Sequence, residues 1–122
     1  MLEKIAKGQF MALQSYKKSG DGVITPVWVV ELESKLYVWT DENSWKVKRI
    51  RNNGNIKICS SNARGIPKSE WVEAQALIRD EPELNERVHK AMVKKYGIQY
   101  YLITFMQKLS GPVGRHITVE IS

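Results

Sequence analysis

Thr40-Asp41-Glu42-Asn43-Ser44-Trp45-Lys46-Val47-Lys48-Arg49-Ile50-Arg51 is the stretch on which the reading of this 122-residue chain turns. Ser44 has the character of a helix N-cap, with Val47 and Ile50 following at helical spacing and Asn53-Gly54 as a stop. The charges inside this helix are the anomaly. Lys46, Lys48, Arg49 and Arg51 are all basic, and no acid follows until Glu70. Cations in a first turn oppose the partial positive charge of a helix N-terminus, where Asp or Glu would help. A bound anion would resolve the conflict, because free N–H groups, a Ser hydroxyl and two lysines can converge on it. A solvated basic face accounts for the same residues without a ligand, and locally both readings stand open.

Working outward, Lys35 to Thr40 reads as a strand leading into this helix, paired through a short Glu33-Ser34 turn to a long strand from Val23 to Glu33. Pro26 inside that strand implies a bulge, an edge position or a place where another molecule takes the missing ladder bond. Upstream, Ser19-Gly20-Asp21-Gly22 is a tight-turn signal closing a first strand from Phe10 to Lys18, and Leu2, Ile5 and Ala6 suggest a short opening helix. Downstream, Asn55 to Ala63 and Trp71 to Ile78 alternate as strands around the Arg64-Gly65-Ile66-Pro67 turn. Asp80 to Gly97 is the clearest helix. Leu84, Val88, Ala91 and Met92 form its stripe, with acids early and Lys90, Lys94 and Lys95 late, obeying the dipole rule that the 44–53 helix breaks. Ile98 to Leu109 suggests another, apolar helix, Ser110 to Gly114 a break, and His116 to Ile121 a final strand. The expected class is mainly β with helical insertions, a six-stranded antiparallel barrel in one domain spanning residues 1–122.

The totals fit such a domain. Apolar residues make up 43% and charged residues 26%, ordinary globular composition, and the net charge of +6 favours anionic partners without choosing among them. The single Cys59 cannot form an intrachain disulfide and sits in an alternating apolar run, as a buried structural thiol would. With no signal-peptide pattern at Met1–Phe10 and no apolar run long enough to span a bilayer, the expected location is the cytoplasm, with no membrane partner.

The two histidines, His89 and His116, lie in different elements without ligand spacing, so no metal site is expected. There is no Gly-rich phosphate loop and no nucleophile elbow. An enzyme lacking an evident acid, base or nucleophile can work when a cofactor carries the chemistry, the protein holding a ring and docking its phosphate. Trp28, Trp39, Trp45 and Trp71 could form a stacking surface or core anchors, the packing role being favoured for Trp39. Tyr96, Tyr100 and Tyr101 are expected at a subunit contact.

On these residues the chain resembles the flavin-binding split-barrel superfamily related to pyridoxamine phosphate oxidase. The run Val38 to Lys48 is similar to that family's strand-to-helix phosphate segment, and Thr25-Pro26-Val27-Trp28 resembles the strand beside its ring system. Ala63-Arg64-Gly65, Glu70 to Glu73 and Lys95 to Tyr100 are similar to a small branch often assigned to a deazaflavin coenzyme. The resemblance implies a six-stranded split β-barrel that forms a homodimer with cofactor at the interface. FMN or an 8-hydroxy-5-deazaflavin coenzyme would serve hydride transfer to an unknown small-molecule substrate. Ser44, Lys46 and Lys48 would hold the phosphate with Thr40 helping and Arg49 as a further contact, while Thr25, Pro26, Val27 and Trp28 would line the ring. Trp45 stands where the oxidase carries an Arg, and the Arg-rich C-terminal motif is missing, which argues against vitamin B6 as substrate. The competing readings are a non-catalytic flavin carrier or sensor and a nucleic-acid binder. The second is disfavoured because the basic residues are spread along the chain, so no nucleic-acid partner is expected.

Overall fold

The computed structural model describes residues 2–102 and 116–122. Helix α1 (Leu2–Ala6) leads into β1 (Phe10–Tyr16), β2 (Gly22–Val27), β3 (Val30–Leu32) and β4 (Lys35–Asp41). Helix α2 (Trp45–Asn52) then precedes β5 (Asn55–Ser61) and β6 (Val72–Arg79), and α3 (Pro82–Tyr96) precedes β7 (His116–Ile121). Residues 98–102 are also helical. The rest of the expected Ile98–Leu109 helix, and the expected break at Ser110–Gly114, lie outside the described residues.

The strands form one antiparallel sheet in the order β2-β1-β5-β6-β7-β4-β3, so the expected count of six strands is corrected to seven. The extra strand arises because the Val23–Glu33 segment breaks at Trp28-Val29, giving β2 on one edge of the sheet and β3 on the other. This link dictates the curvature. A flat seven-stranded sheet would hold its outer strands roughly 29 Å apart, whereas the chain from Val27 to Val30 reaches at most about 11 Å. The sheet therefore curls until its edges meet across two residues, a half-open barrel. Strand β6 turns the corner: Asn55 to Ile58 of β5 pair with its first half, while its second half, from Ala76 to Arg79, pairs with β7.

The concave side is filled by Met11 and Leu13 of β1, Leu36 and Val38 of β4, Ile56 and Ile58 of β5, and Val119 and Ile121 of β7, with Ile5 of α1 and Ile50 of α2 packed in. Period-two alternation in the strands puts these side chains on one face. A second cluster forms where Leu84, Val88, Met92 and Tyr96 of α3 meet Val30, Tyr37 and Tyr100, with Trp28 and Trp39 against it. Three of the four residues expected in the buried stripe of α3 are buried, and Ala91 is half-buried. Gly97, at φ 58°, ends α3 in a conformation that a Cβ would oppose.

The seam between the edges is tied by the last turn of α3. Lys95 Nζ donates to the carbonyls of Ala6 (2.6 Å), Gly8 (2.9 Å) and Val29 (2.6 Å). The Tyr96 hydroxyl accepts from the Val29 N–H at 3.0 Å and lies 2.8 Å from the Gln9 carbonyl, to which it donates. Burial pushes the Tyr96 pKa up to about 12, against the bond to Val29, which lowers it. The Trp28 ring stacks on Tyr96 at 4.2 Å, and Tyr100 is buried beside them. Tyr96 and Tyr100 are thus spent inside the chain, which corrects their expected place at a subunit contact; Tyr101 is exposed.

Candidate functional site at the start of helix α2

Strand β4 ends at Asp41, whose carboxylate accepts from the Asn43 N–H (2.7 Å) while its carbonyl accepts from the Ser44 N–H (3.1 Å), closing the turn that starts α2. Ser44 is the N-cap, extended in backbone, and its carbonyl accepts from Lys48 N–H. Its hydroxyl does not cap the helix. Among the described residues Ser44 Oγ is buried with no hydrogen-bond partner. A buried hydroxyl left unpaired costs about 1–3 kcal/mol, so Ser44 Oγ calls for a partner beyond the described residues.

Two cations of the same helix are held by strand hydroxyls. Lys46 Nζ donates to Thr40 Oγ1 at 3.3 Å, and Arg49 Nε donates to Ser15 Oγ at 2.7 Å. Thr40 and Ser15 are buried on β4 and β1. Burial lowers the pKa of Lys46, the Arg49 charge lowers it further, and Asp41 opposes both. Burial also lowers that of Arg49. Both cations thus bond to neutral hydroxyls, and burial disfavours the charge of each.

Lys48 points elsewhere. Its ammonium lies 4.4 Å over the ring of Trp45, and both residues are exposed. Thr40 and Lys46 are therefore joined, Arg49 acts on Lys46 from the same helix that Ser44 caps, and Lys48 lies on Trp45.

The proposed ring strand adjoins this corner through β1. Ser15 pairs with Val23, Leu13 with Thr25 and Met11 with Val27, so Thr25 and Val27 share the concave face with Ser15. Thr25 is the diagonal neighbour of Ser15, at about 7–8 Å by strand geometry. Thr25 Oγ1 reaches the Leu13 carbonyl at 3.5 Å. Pro26 and Trp28 fall on the opposite face, so the four side chains are not brought together; Trp28 lies under α3. Pro26 sits on the edge strand, one of the three placements its sequence allows. Gly65, at φ 81°, packs against it: a Cβ there would lie 3.4 Å from Pro26 Cδ.

Ser15 is the residue that sequence reading missed. A Ser in an alternating strand carries no signal of its own, and only the packing of α2 on β1 gives it a partner. Trp39 packs as favoured, between His116 (5.5 Å, stacked) and His89 (6.0 Å), and His89 Nδ1 lies 2.7 Å from the Tyr100 hydroxyl. Cys59 is buried, and burial raises its thiol pKa, the state of a packing residue. Among the described residues no three His, Cys, Asp or Glu side chains group as metal ligands, and no helix is long and apolar enough to cross a membrane.

No family model and no curated protein matches the sequence. Solved structures do. The chain is similar to a candidate pyridoxamine 5'-phosphate oxidase from Listeria innocua, at 12% identity over 99% of this chain and 88% of that one, with a TM-score of 0.68. It is similar to HutZ, the heme storage protein from Vibrio cholerae, at 12% identity over 99% and 86% of the two chains, with a TM-score of 0.70. It is also similar to an F420 reductase, at 12% identity over 98% and 90%, with a TM-score of 0.60. At these identities the likeness is one of fold.

Proposed function

On the split-barrel frame of the pyridoxamine 5'-phosphate oxidase-like proteins, which this chain shares, we propose that it binds a phosphorylated tricyclic cofactor, FMN or an 8-hydroxy-5-deazaflavin coenzyme, and serves as an oxidoreductase. The observation that supports this reading is the buried Ser44 hydroxyl, without a partner among the described residues, at the N-cap of the helix that carries Lys46 and Arg49. One phosphate would satisfy all three: the hydroxyl gains an acceptor, and each cation a charge-assisted bond worth about 1.5–3 kcal/mol. Thr40 and Ser15 hold the two cations in place. Thr25 and the backbone of β2 lie along the same face for the ring.

The bound cofactor would supply hydride transfer. The chain's own part is to anchor the phosphate, keep Lys46 and Arg49 apart on separate hydroxyls, and offer an edge strand to the ring. The F420 reductase among similar folds supports an enzyme, and the heme storage protein supports a binding role on the same frame. Reduction of the bound cofactor followed by its reoxidation by an acceptor separates the enzyme from a carrier or sensor.

We also propose a homodimer with the cofactor at its interface. Ile98, Tyr101 and Leu102 are exposed at i, i+3 and i+4 spacing on the helical residues after α3, an apolar stripe of the kind subunits cover. Light scattering at working concentration should report twice the chain mass; a monomer would count against it.

The test of the site is saturable FMN binding by the purified chain, weakened at least tenfold by Lys46→Ala. Ser44→Ala should weaken binding too while leaving unfolding stability unchanged or raised, since it removes an unsatisfied group and no cap bond. Full affinity in both variants would refute the corner as a phosphate site.

A further inference from the structure

Trp45 is the residue that a phosphate corner alone does not use. It is the first residue of α2, adjacent to Ser44, and is 72% exposed. Trp28 and Trp39 are packed among other rings, whereas the Trp45 ring carries the Lys48 ammonium on one face. A large indole left in water at the edge of a ligand site is an informative exposure, because tryptophan is otherwise mostly buried or covered at interfaces. One face carries a cation, and at 72% exposure the indole retains area for a flat, polarisable ring.

Resting on the flavin reading above, we propose that Trp45 determines specificity by stacking on a second planar ring that lies beyond the phosphate, so that the preferred ligand is a flavin dinucleotide. Trp45 follows Ser44 at the start of α2, so a ligand extending from the proposed phosphate position along this helix end would meet the indole. Lys48 then serves two ends, holding the indole from behind and offering its charge to the second phosphate of the bridge. A purely anionic, non-aromatic extension would use Lys48 but has no need of the indole, so the exposed ring favours a base over a tail of carboxylates. Stacking of this kind is tolerant of base identity and depends on the aromatic face.

The experiment titrates the full chain with FMN and with FAD, following flavin fluorescence, for the wild type, Trp45→Ala and Trp45→Phe. The proposal expects FAD to bind about tenfold more tightly than FMN, the scale of one base stack. Trp45→Ala should erase that preference and leave the FMN affinity where it was, and Trp45→Phe should keep most of it. Equal wild-type affinities overturn the proposal while the phosphate corner stands. Equal weakening of both ligands by Trp45→Ala also overturns it, and marks Trp45 as a structural or subunit-contact residue. If neither flavin binds, the flavin reading itself fails and this inference falls with it.

Discussion

Tyr96 shows how much one hydroxyl can hold. It accepts the N–H of fully buried Val29 and donates to the Gln9 carbonyl, joining the seam residues, the start of β1 and the end of α3. Tyr96→Phe keeps the ring stacked on Trp28 but leaves the Val29 N–H unpaired, so unfolding in urea should report a loss of about 1–3 kcal/mol. An unchanged midpoint would mean that the seam is held by Lys95 alone. No residue near Tyr96 in sequence announces this role, because its partners lie 67 and 87 positions away. Ser15 was illegible for the same reason. Ser44, by contrast, was legible as an N-cap: a capping residue type before an amphipathic run. What the sequence could not convey is that the Ser44 hydroxyl leaves the cap unmade.

At the scale of elements, α2, α3 and the strands were readable where periodicity was long and the stops were Gly or Asn. The exception is the Val23–Glu33 run. Its residues suit a strand throughout, and its interruption comes from distant groups that claim Trp28 and Val29, namely the Tyr96 ring and hydroxyl and the Lys95 ammonium. Local propensity has no access to that, which is why six strands were expected and seven are found. The β3–β4 hairpin carries its own strain. Glu33 and Ser34 both have positive φ, 52° and 69°, the geometry of a tight hairpin turn that favours Asn or Gly. Ser34→Gly removes a Cβ from a left-handed position, a gain of about 0.5–1 kcal/mol after the entropy of glycine is counted. Calorimetry should show the melting temperature rising by about 3 °C; a fall would show that the turn is not strained as drawn.

Across the whole molecule, Glu120 binds three strands. It lies on β7 and pairs with Lys35 on β4 (3.1 Å) and with Arg79 on β6, with the Tyr37 hydroxyl 3.5 Å away. Burial alone would raise its pKa, but the hydrogen bonds from Lys35 and Arg79, with their charges, outweigh it and hold the carboxyl below its ordinary value of 4.5. A carboxylate with a depressed folded pKa contributes stability that is complete above about pH 4.5 and is lost as pH falls through the folded value. Glu120→Gln should therefore flatten the acid limb of the stability curve below pH 4.5, read by urea midpoints across pH; an unaltered limb would assign acid lability to other carboxylates. The same curled frame brings α2 against β1, so the corner proposed for the phosphate and the strand proposed for the ring adjoin through one closure. The most direct test of that site compares FMN with riboflavin, which has the same ring and no phosphate, by titration calorimetry on the wild type and on Lys46→Ala/Arg49→Ala. FMN should bind about a hundredfold more tightly than riboflavin, two charge-assisted bonds' worth, and the double variant should abolish the difference. Equal affinity for the two ligands, or an FMN preference that survives in the variant, would contradict the proposed phosphate site.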